Sequence, residues 1–282
     1  MDSEELRKKL RTKKFTLFDR KTTYKQLLIP NFNDTKLKEE FKYLNKLINN
    51  LDKEINKQID IDIKRLPIES RFINDKNIEF IYNQILGMVV CVFPKVSYVQ
   101  GMTDILVPFV KLYLNQSSSH TKGIIIKEED IINVFCCYKN LISKLRNNLY
   151  LIQSNLAKLT NKWLLLTDPI LYNHLKSHNI DIHLLTIRWY SCLFTREFQG
   201  DKWYLIFDYL LTYSDINDGI ISVAVSLLTI LKRKIVRLDF YKTLIYVQNY
   251  KYENLSIKTV IEGAYETWES YNNEKKKIRR NK

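Results

Sequence analysis

The sequence predicts an all-α protein, and two observations carry that prediction. Apolar residues recur at helical spacing almost throughout, as where Ile221, Val225, Leu228 and Leu231 step by four, three and three residues. Glycine and proline are scarce, with six and five in 282 residues, whereas a β-sandwich needs a turn about every 8–12 residues. A chain of this length with 45% hydrophobic residues can also bury a large core.

Turn and capping residues divide the chain into separate helices. Pro94 ends one helical segment, and the stretch Asn115–Gly123 is the clearest loop. Asp168-Pro169 places a capping side chain before a proline at the first helical position. Asp181 and Asp218 can cap two later helices in the same way. The helices are predicted near residues 35–57, 76–92, 102–114, 128–149, 153–166, 169–178, 182–195, 200–213, 219–235, 237–248 and 256–272.

The formal net charge of +14 comes from 45 basic and 31 acidic residues. Most of the excess lies at the two ends, because residues 66–273 carry 22 basic and 19 acidic side chains. A basic surface covering the whole domain, the usual feature of a nucleic-acid binder, is therefore only weakly supported. We expect no nucleic-acid partner.

The glycines argue against a nucleotide site in this chain. They stand at positions 87, 101, 123, 200, 219 and 263. Since no two lie within ten residues of each other, the chain contains neither GxxxxGK[ST] nor GxGxxG, whose glycines let the backbone wrap a phosphate. We expect no bound cofactor and no metal.

Nothing in the sequence predicts secretion or a membrane span. The N-terminal residues MDSEELRKKL contain no apolar run of the kind found in a signal peptide. The longest apolar stretches, Ile85–Phe93 and Ile220–Leu231, are too short to cross a bilayer. The cysteines, which form no CxxC pair, are Cys91, Cys136, Cys137 and Cys192. We expect a cytoplasmic protein whose cysteines are small hydrophobic residues in a reduced compartment.

Two short segments stand apart from the helical background. Ile59–Pro67 reads IDIDIKRLP, and its proline biases the preceding residue away from helix, so Arg65 is expected to project where an element ends. Tyr98–Ile105 reads YVQGMTDI and places Gln100 beside the free N–H groups of a helix N-terminus. On the residues alone, Asp62 and Arg65 could form a surface ion pair, and Gln100 could be an ordinary loop residue.

Together the two segments resemble the IxxDxxR and YxQGMxD motifs of the TBC domain of Rab GTPase-activating proteins. Residues 168–175, DPILYNHL, look like that family's DPxLYxHL, and residues 187–198, IRWYSCLFTREF, look like its RWxxxLFxREF. Asp208 follows at about the spacing of its WD pair, and Val247–Tyr250 with the next helix resembles its closing helix.

The resemblance covers residues 15–271 and implies a two-lobed helical TBC-type fold. The N-lobe would span about residues 15–150 and the C-lobe about 151–271, followed by a basic tail at 272–282.

The resemblance also implies a chemistry. Arg65 matches an arginine finger that neutralises charge on the phosphate oxygens of a GTP-bound Rab, and Gln100 matches a glutamine finger that orients the attacking water. Mg²⁺ and GTP would belong to the Rab, and the outcome would be control of vesicle trafficking. Asp62 is expected to orient the Arg65 loop, and Asp104 to contact the backbone or the finger network. Tyr98 and Gly101 would shape the turn that presents Gln100.

Three positions depart from the family pattern. Where the family has RxxW, this chain reads KTTY at Lys21–Tyr24, and the tryptophan of the WD pair is Phe207. The threonine that often follows the arginine finger is Leu66. These departures keep a second hypothesis open, a non-catalytic TBC-like scaffold that binds a Rab.

The remaining candidates favour structural roles. Arg188 and Arg196-Glu197 indicate an ion-pair network, and the tryptophans, which are Trp163, Trp189, Trp203 and Trp268, indicate core anchors. His174 and His178 could bind zinc, but no convincing further ligand accompanies them. Lys275–Lys282 could touch an anionic membrane, which would recruit the protein to endomembranes, although a solvated tail is the favoured interpretation.

Overall fold

The computed structural model describes residues 3–12, 14–29, 33–66, 76–114, 126–149 and 152–280. These residues form α-helices and short 3₁₀ turns and no strand. The predicted all-α class is therefore confirmed for the part of the chain described. None of the helices in that part is long and apolar enough to cross a membrane.

The chain divides into two compact units, Met1–Arg146 and Asn147–Lys282. The helices of the first unit are α1 (Ser3–Thr12), α2 (Leu17–Leu28), α3 (Asp34–Leu47), α4 (Lys53–Arg65), α5 (Lys76–Val92), α6 (Met102–Leu114) and most of α7 (Glu128–Leu149). Those of the second are α8 (Ile152–Thr167), α9 (Pro169–Ser177), α10 (Ile182–Ser191), α11 (Asp201–Leu211), α12 (Ile216–Ile235), α13 (Phe240–Gln248) and α14 (Ile257–Arg280).

Helices α5 and α6 form the centre of the first unit. Helix α5 packs against α3 and α4, while α6 packs against α2, α4 and α5. Helix α7 adds edge-to-face ring contacts, in which Phe135 meets Phe41 and Tyr138 meets Phe109. The core therefore holds α4 and the start of α6 side by side.

Helix α12 is the centre of the second unit and packs against α8, α11 and α14. Its approach to α14 depends on a glycine, because a Cβ added at Gly263 would lie 2.6 Å from the Ser226 hydroxyl oxygen. That hydroxyl donates to the Val260 carbonyl at 2.9 Å. Trp163, Trp189 and Trp203 are buried as predicted, and Trp268 is half-buried with its ring edge-on to Tyr213.

The predicted helix at 35–57 was wrong, because two helices occupy that stretch. Helix α3 ends at Leu47, a 3₁₀ turn follows at Ile48–Asn50, and α4 starts at Lys53. The new start is fixed by Asp52, whose carboxylate accepts from the backbone N–H groups of Glu54 and Ile55. Helices α1 and α2 were not predicted.

Four other helix boundaries differ from prediction by three residues or more. Helix α10 stops at Ser191 rather than near 195, because Leu193 and Phe194 adopt positive φ angles of 49° and 61°. Helix α12 starts at Ile216 rather than near 219 and is capped by Asp215, so Asp218 lies inside its first turn. Helix α13 starts at Phe240 rather than near 237, because Asp239 caps it.

The fourth boundary is the end of the last helix. Helix α14 continues to Arg280 instead of ending near 272. The predicted caps at Asp168 and Asp181 are present, and the predicted loop Asn115–Gly123 lies outside the described residues.

Candidate functional site

Arg65 is the last residue of α4, as the sequence predicted. Buried Ile59, Ile63 and Leu66 recur at steps of four and three residues and hold that end of the helix against the core. The Arg65 side chain points away from them and is 66% exposed. Pro67 lies outside the described residues. The helix thus presents a cationic, planar group to solvent from a rigid base.

Gln100 is exposed in the turn between α5 and α6, two residues before α6 begins. The turn is tight, since the Met102 N–H donates to the Val99 carbonyl at 3.0 Å. Gly101 is buried and has a φ of 103°, a conformation that side chains with a Cβ rarely adopt. Gly101 therefore shapes the turn that carries the Gln100 amide outward.

The carboxylate of Asp62 connects these two segments. Its Oδ1 accepts from Arg65 Nη1 at 3.3 Å, and its Oδ2 accepts from the Tyr98 hydroxyl at 2.8 Å. Asp62 is only 14% exposed, so this bridge is largely shielded from water. A single carboxylate thereby touches the arginine at the end of α4 and the first residue of the Gln100 turn.

The contact between Arg65 and Asp62 is long and exposed on the arginine side. Such an ion pair contributes about 0–1 kcal/mol. The guanidinium has five N–H donors, and the contact to Asp62 uses one of them. Arg65 can therefore exchange this contact for phosphate oxygens at little cost.

Tyr98 is buried among groups that fix its ring and its hydroxyl. Burial, and secondarily the neighbouring Asp62, raises the pKa of Tyr98 well above its ordinary value, so the phenol keeps its proton. Its oxygen also lies 2.6 Å from the Thr103 hydroxyl. Behind it, the hydroxyl of fully buried Tyr138 donates to the Met102 carbonyl at 2.8 Å. Thr103 and Tyr138 were not foreseen as parts of this network.

Asp104 lies in the first turn of α6 and is half-buried. Its negative charge adds to the rise in the pKa of both Tyr98 and Tyr138, whose main cause is burial. Asp104 therefore lies close to the phenols that surround the turn. An acidic residue here also suits the positive end of the α6 helix dipole.

Two of the three unusual positions are aromatic residues that remain buried. Tyr24 is 0% exposed, and its helix α2 packs against α6. Phe207 stacks on Trp203 with ring centroids 4.8 Å apart. The third, Leu66, is buried at the end of α4, where its N–H donates to the Ile63 carbonyl. The side chain at each of the three changed positions is thus buried.

The other charged candidates form structural contacts. Arg188 Nε donates to Glu197 Oε1 at 2.6 Å, which confirms the predicted ion pair, and Arg188 Nη1 donates to the Gln248 carbonyl. His174 and His178 lie with ring centroids 4.2 Å apart and ring planes tilted by 36°. Among the described residues no group of three or more His, Cys, Asp or Glu side chains could hold a metal ion.

Comparison with known proteins identifies a family. Residues 17–236 match the family model described as the Rab-GTPase-TBC domain. The GTPase-activating protein GYP1 of Saccharomyces cerevisiae is 27% identical over 162 residues, covering 50% of this chain and 25% of the relative. TBC1 domain family member 22A of Mus musculus is 22% identical over 257 residues, covering 82% of this chain and 48% of the relative. The chain therefore spans a quarter to a half of the length of these curated relatives.

Solved structures share the fold. The Ypt/Rab-GAP domain of Gyp1p superposes with a TM-score of 0.81 at 19% identity, covering 96% of this chain and 93% of that domain. The flagellar RabGAP TBC domain of Chlamydomonas gives a TM-score of 0.69 at 16% identity, covering 93% of this chain and 82% of that one.

Proposed function

This chain belongs to the Rab-GTPase-TBC domain family, and we propose that it is a GTPase-activating protein for a Rab-family small GTPase. The observation that carries the proposal is the Asp62 carboxylate, which contacts Arg65 on one side and Tyr98 of the Gln100 turn on the other. A site of this kind needs the two segments that carry its reacting side chains to lie side by side before the partner arrives.

Arg65 supplies the positive charge in the proposed mechanism. Charge builds on the phosphate oxygens as GTP is cleaved, and a guanidinium that is always cationic stabilises it with directed N–H bonds. In Ras-type GTPases, a different system, an arginine supplied in trans is worth roughly 10³–10⁵ in rate. Arg65 is suited to this role because it is exposed, stands at a helix end and is only weakly paired.

Gln100 orients the attacking water in the same mechanism. A neutral amide can accept a hydrogen bond from water with its oxygen while its nitrogen donates to phosphate. The tight turn at Gly101 leaves that amide exposed to solvent. Mg²⁺ and GTP are carried by the partner, and this chain contributes side chains only.

We also propose that the basic end of α14 touches an anionic membrane surface and so brings the cytoplasmic protein to endomembranes, where it would act in vesicle trafficking. Lys275, Lys276 and Lys277 are exposed there on a continuous helix, together with Ile278. Phosphate headgroups attract basic residues at about 1 kcal/mol each near the surface.

The proposed activity is tested by single-turnover GTP hydrolysis across a panel of Rab proteins, with wild type beside Arg65→Ala. Acceleration of at least one Rab that depends on Arg65 is the expected result. The matched control is Arg11→Ala, an exposed arginine on α1, outside the family match. Binding to a GTP-loaded Rab with no acceleration of any member would instead identify a non-catalytic Rab-binding scaffold.

A further inference from the structure

Thr103 lies in the first turn of α6 and is 1% exposed. Its Oγ1 lies 2.6 Å from the Tyr98 hydroxyl oxygen. Tyr98 precedes Gln100 by two residues and Thr103 follows it by three, so this bond closes the turn on which Gln100 stands. The two side chains clasp the turn from the buried side while Gln100 remains exposed.

The direction of the hydrogen bonds follows from the number of hydroxyl hydrogens. The Tyr98 phenol has one hydroxyl hydrogen and donates it to Asp62 Oδ2 at 2.8 Å. The Tyr98 oxygen must therefore accept from Thr103, whose single hydroxyl hydrogen is used there. The result is a chain from Thr103 to Tyr98 to Asp62, with Arg65 donating to the far oxygen of the same carboxylate.

A bond back along the same helix is a common use of a buried threonine hydroxyl, as where Thr267 donates to the Gly263 carbonyl one turn back. In the second unit, Thr160 donates to the Leu156 carbonyl and also lies within hydrogen-bond distance of the Tyr190 hydroxyl. The Thr103 bond instead leaves the α6 turn and reaches a side chain that contacts another helix.

We infer that Thr103 is a positioning residue that acts through Tyr98 on Gln100 and, through Asp62, on Arg65. The inference rests on the proposed function, because it assigns Thr103 a role in presenting both fingers. Hydrogen bonds in a buried chain polarise and orient one another, so the loss of the first donor weakens the next bond. Thr103 therefore acts on Gln100 and Arg65 through Tyr98 and Asp62.

The test compares three variants in stimulated GTP hydrolysis. Thr103→Val keeps the shape of the side chain and removes the hydroxyl, while Thr103→Ser keeps the hydroxyl. Thr186→Val removes a buried helical hydroxyl from the second unit and serves as the matched control. We expect Thr103→Val to lower kcat about tenfold, the rate equivalent of one hydrogen bond, with KM for the GTP-loaded Rab changed less than about twofold. Thr103→Ser should restore kcat.

A second measurement does not depend on any Rab. Amide hydrogen exchange of the free protein should become faster in Thr103→Val at two separate segments, the turn 98–103 and the end of α4 at 59–66, and not in Thr186→Val. Faster exchange at the turn alone would overturn the link to Arg65. An unchanged kcat, or the same loss in Thr186→Val, would overturn the positioning role. If wild type accelerates no Rab but Thr103→Val speeds exchange at both segments, the proposed function is refuted. The link from Thr103 through Tyr98 and Asp62 to the end of α4 is then still established.

Discussion

At the level of single residues, the carboxylate of Asp62 joins the segment that carries Arg65 to the segment that carries Gln100. Each motif alone is compatible with a commonplace role, a surface ion pair for Arg65 and a loop amide for Gln100. Asp62 lies in contact with both segments, with 2.8 Å to Tyr98 and 3.3 Å to Arg65. The shorter of these bonds is partly buried and the longer is exposed, so the carboxylate keeps its contact with Tyr98 while Arg65 can release its own.

A second buried carboxylate, Glu197, gives a pH prediction at the same scale. Burial raises the pKa of Glu197 above its ordinary 4.5, and the nearby Arg188 opposes that rise only in part. One of its oxygens, Oε2, is buried without a hydrogen-bond partner. Because the folded-state pKa is the higher one, the folded protein binds more protons above pH 4.5 than the unfolded chain. This contribution to stability is present at low pH and lost as pH rises.

We therefore expect the free energy of unfolding of wild type to fall, relative to Glu197→Gln, as pH rises from about 4.5 toward neutrality. Urea denaturation at a series of pH values measures the difference, with the exposed Glu269→Gln as control. If the free energy of unfolding of wild type relative to Glu197→Gln stays constant or rises with pH, the pKa of Glu197 is not raised in the folded protein.

At the level of single helices, α14 begins in the packed core and continues beyond it. Its first part packs on α12, where Gly263 allows close approach to Ser226. Near its other end, Tyr271 stacks on Trp163 with centroids 4.2 Å apart, and Lys275 lies over the Tyr271 ring. Because the helix continues to Arg280, its exposed lysines stand on regular helical backbone rather than on an irregular tail.

Replacing Lys275, Lys276 and Lys277 together by glutamine should weaken binding to vesicles that contain anionic lipid. At about 1 kcal/mol per residue, the loss is roughly 100-fold, and it should shrink as salt is raised. Flotation with anionic and with zwitterionic vesicles measures it. The control replaces Lys38, Lys42 and Lys46, which are exposed on α3, by glutamine and so removes the same charge. An equal loss of vesicle binding in both triple variants would show that binding depends on net charge alone and not on the end of α14.

At the scale of the whole molecule, the sequence was informative wherever the determining residues are close together along the chain. The all-α class follows from apolar spacing, and the start of α9 follows from Asp168-Pro169. The placement of Arg65 at a helix end follows in the same way from a short local pattern.

What the sequence did not predict depends on contacts between distant residues. The Tyr98–Asp62 bond joins residues 36 apart, and Tyr138 reaches Met102 across the same separation. The break after α10 arises from left-handed backbone at Leu193, whose carbonyl accepts from the Trp203 indole. No local pattern encodes such partners. Thr103, five residues after Tyr98, was the exception that spacing alone could have suggested.

If Arg65 and Gln100 act together in one transition state, GTP hydrolysis stimulated on a responsive Rab depends on both side chains. The measurement compares wild type with Arg65→Ala, Arg65→Lys, Gln100→Ala and the double alanine variant. We expect each single change to remove most of the stimulation while the fold is retained, and the double variant to lose little more, because groups that act as a unit are not additive. Gln248→Ala, an exposed glutamine on α13, should be unaffected. Undiminished stimulation in both the Arg65 and the Gln100 variants would rule out this joint role.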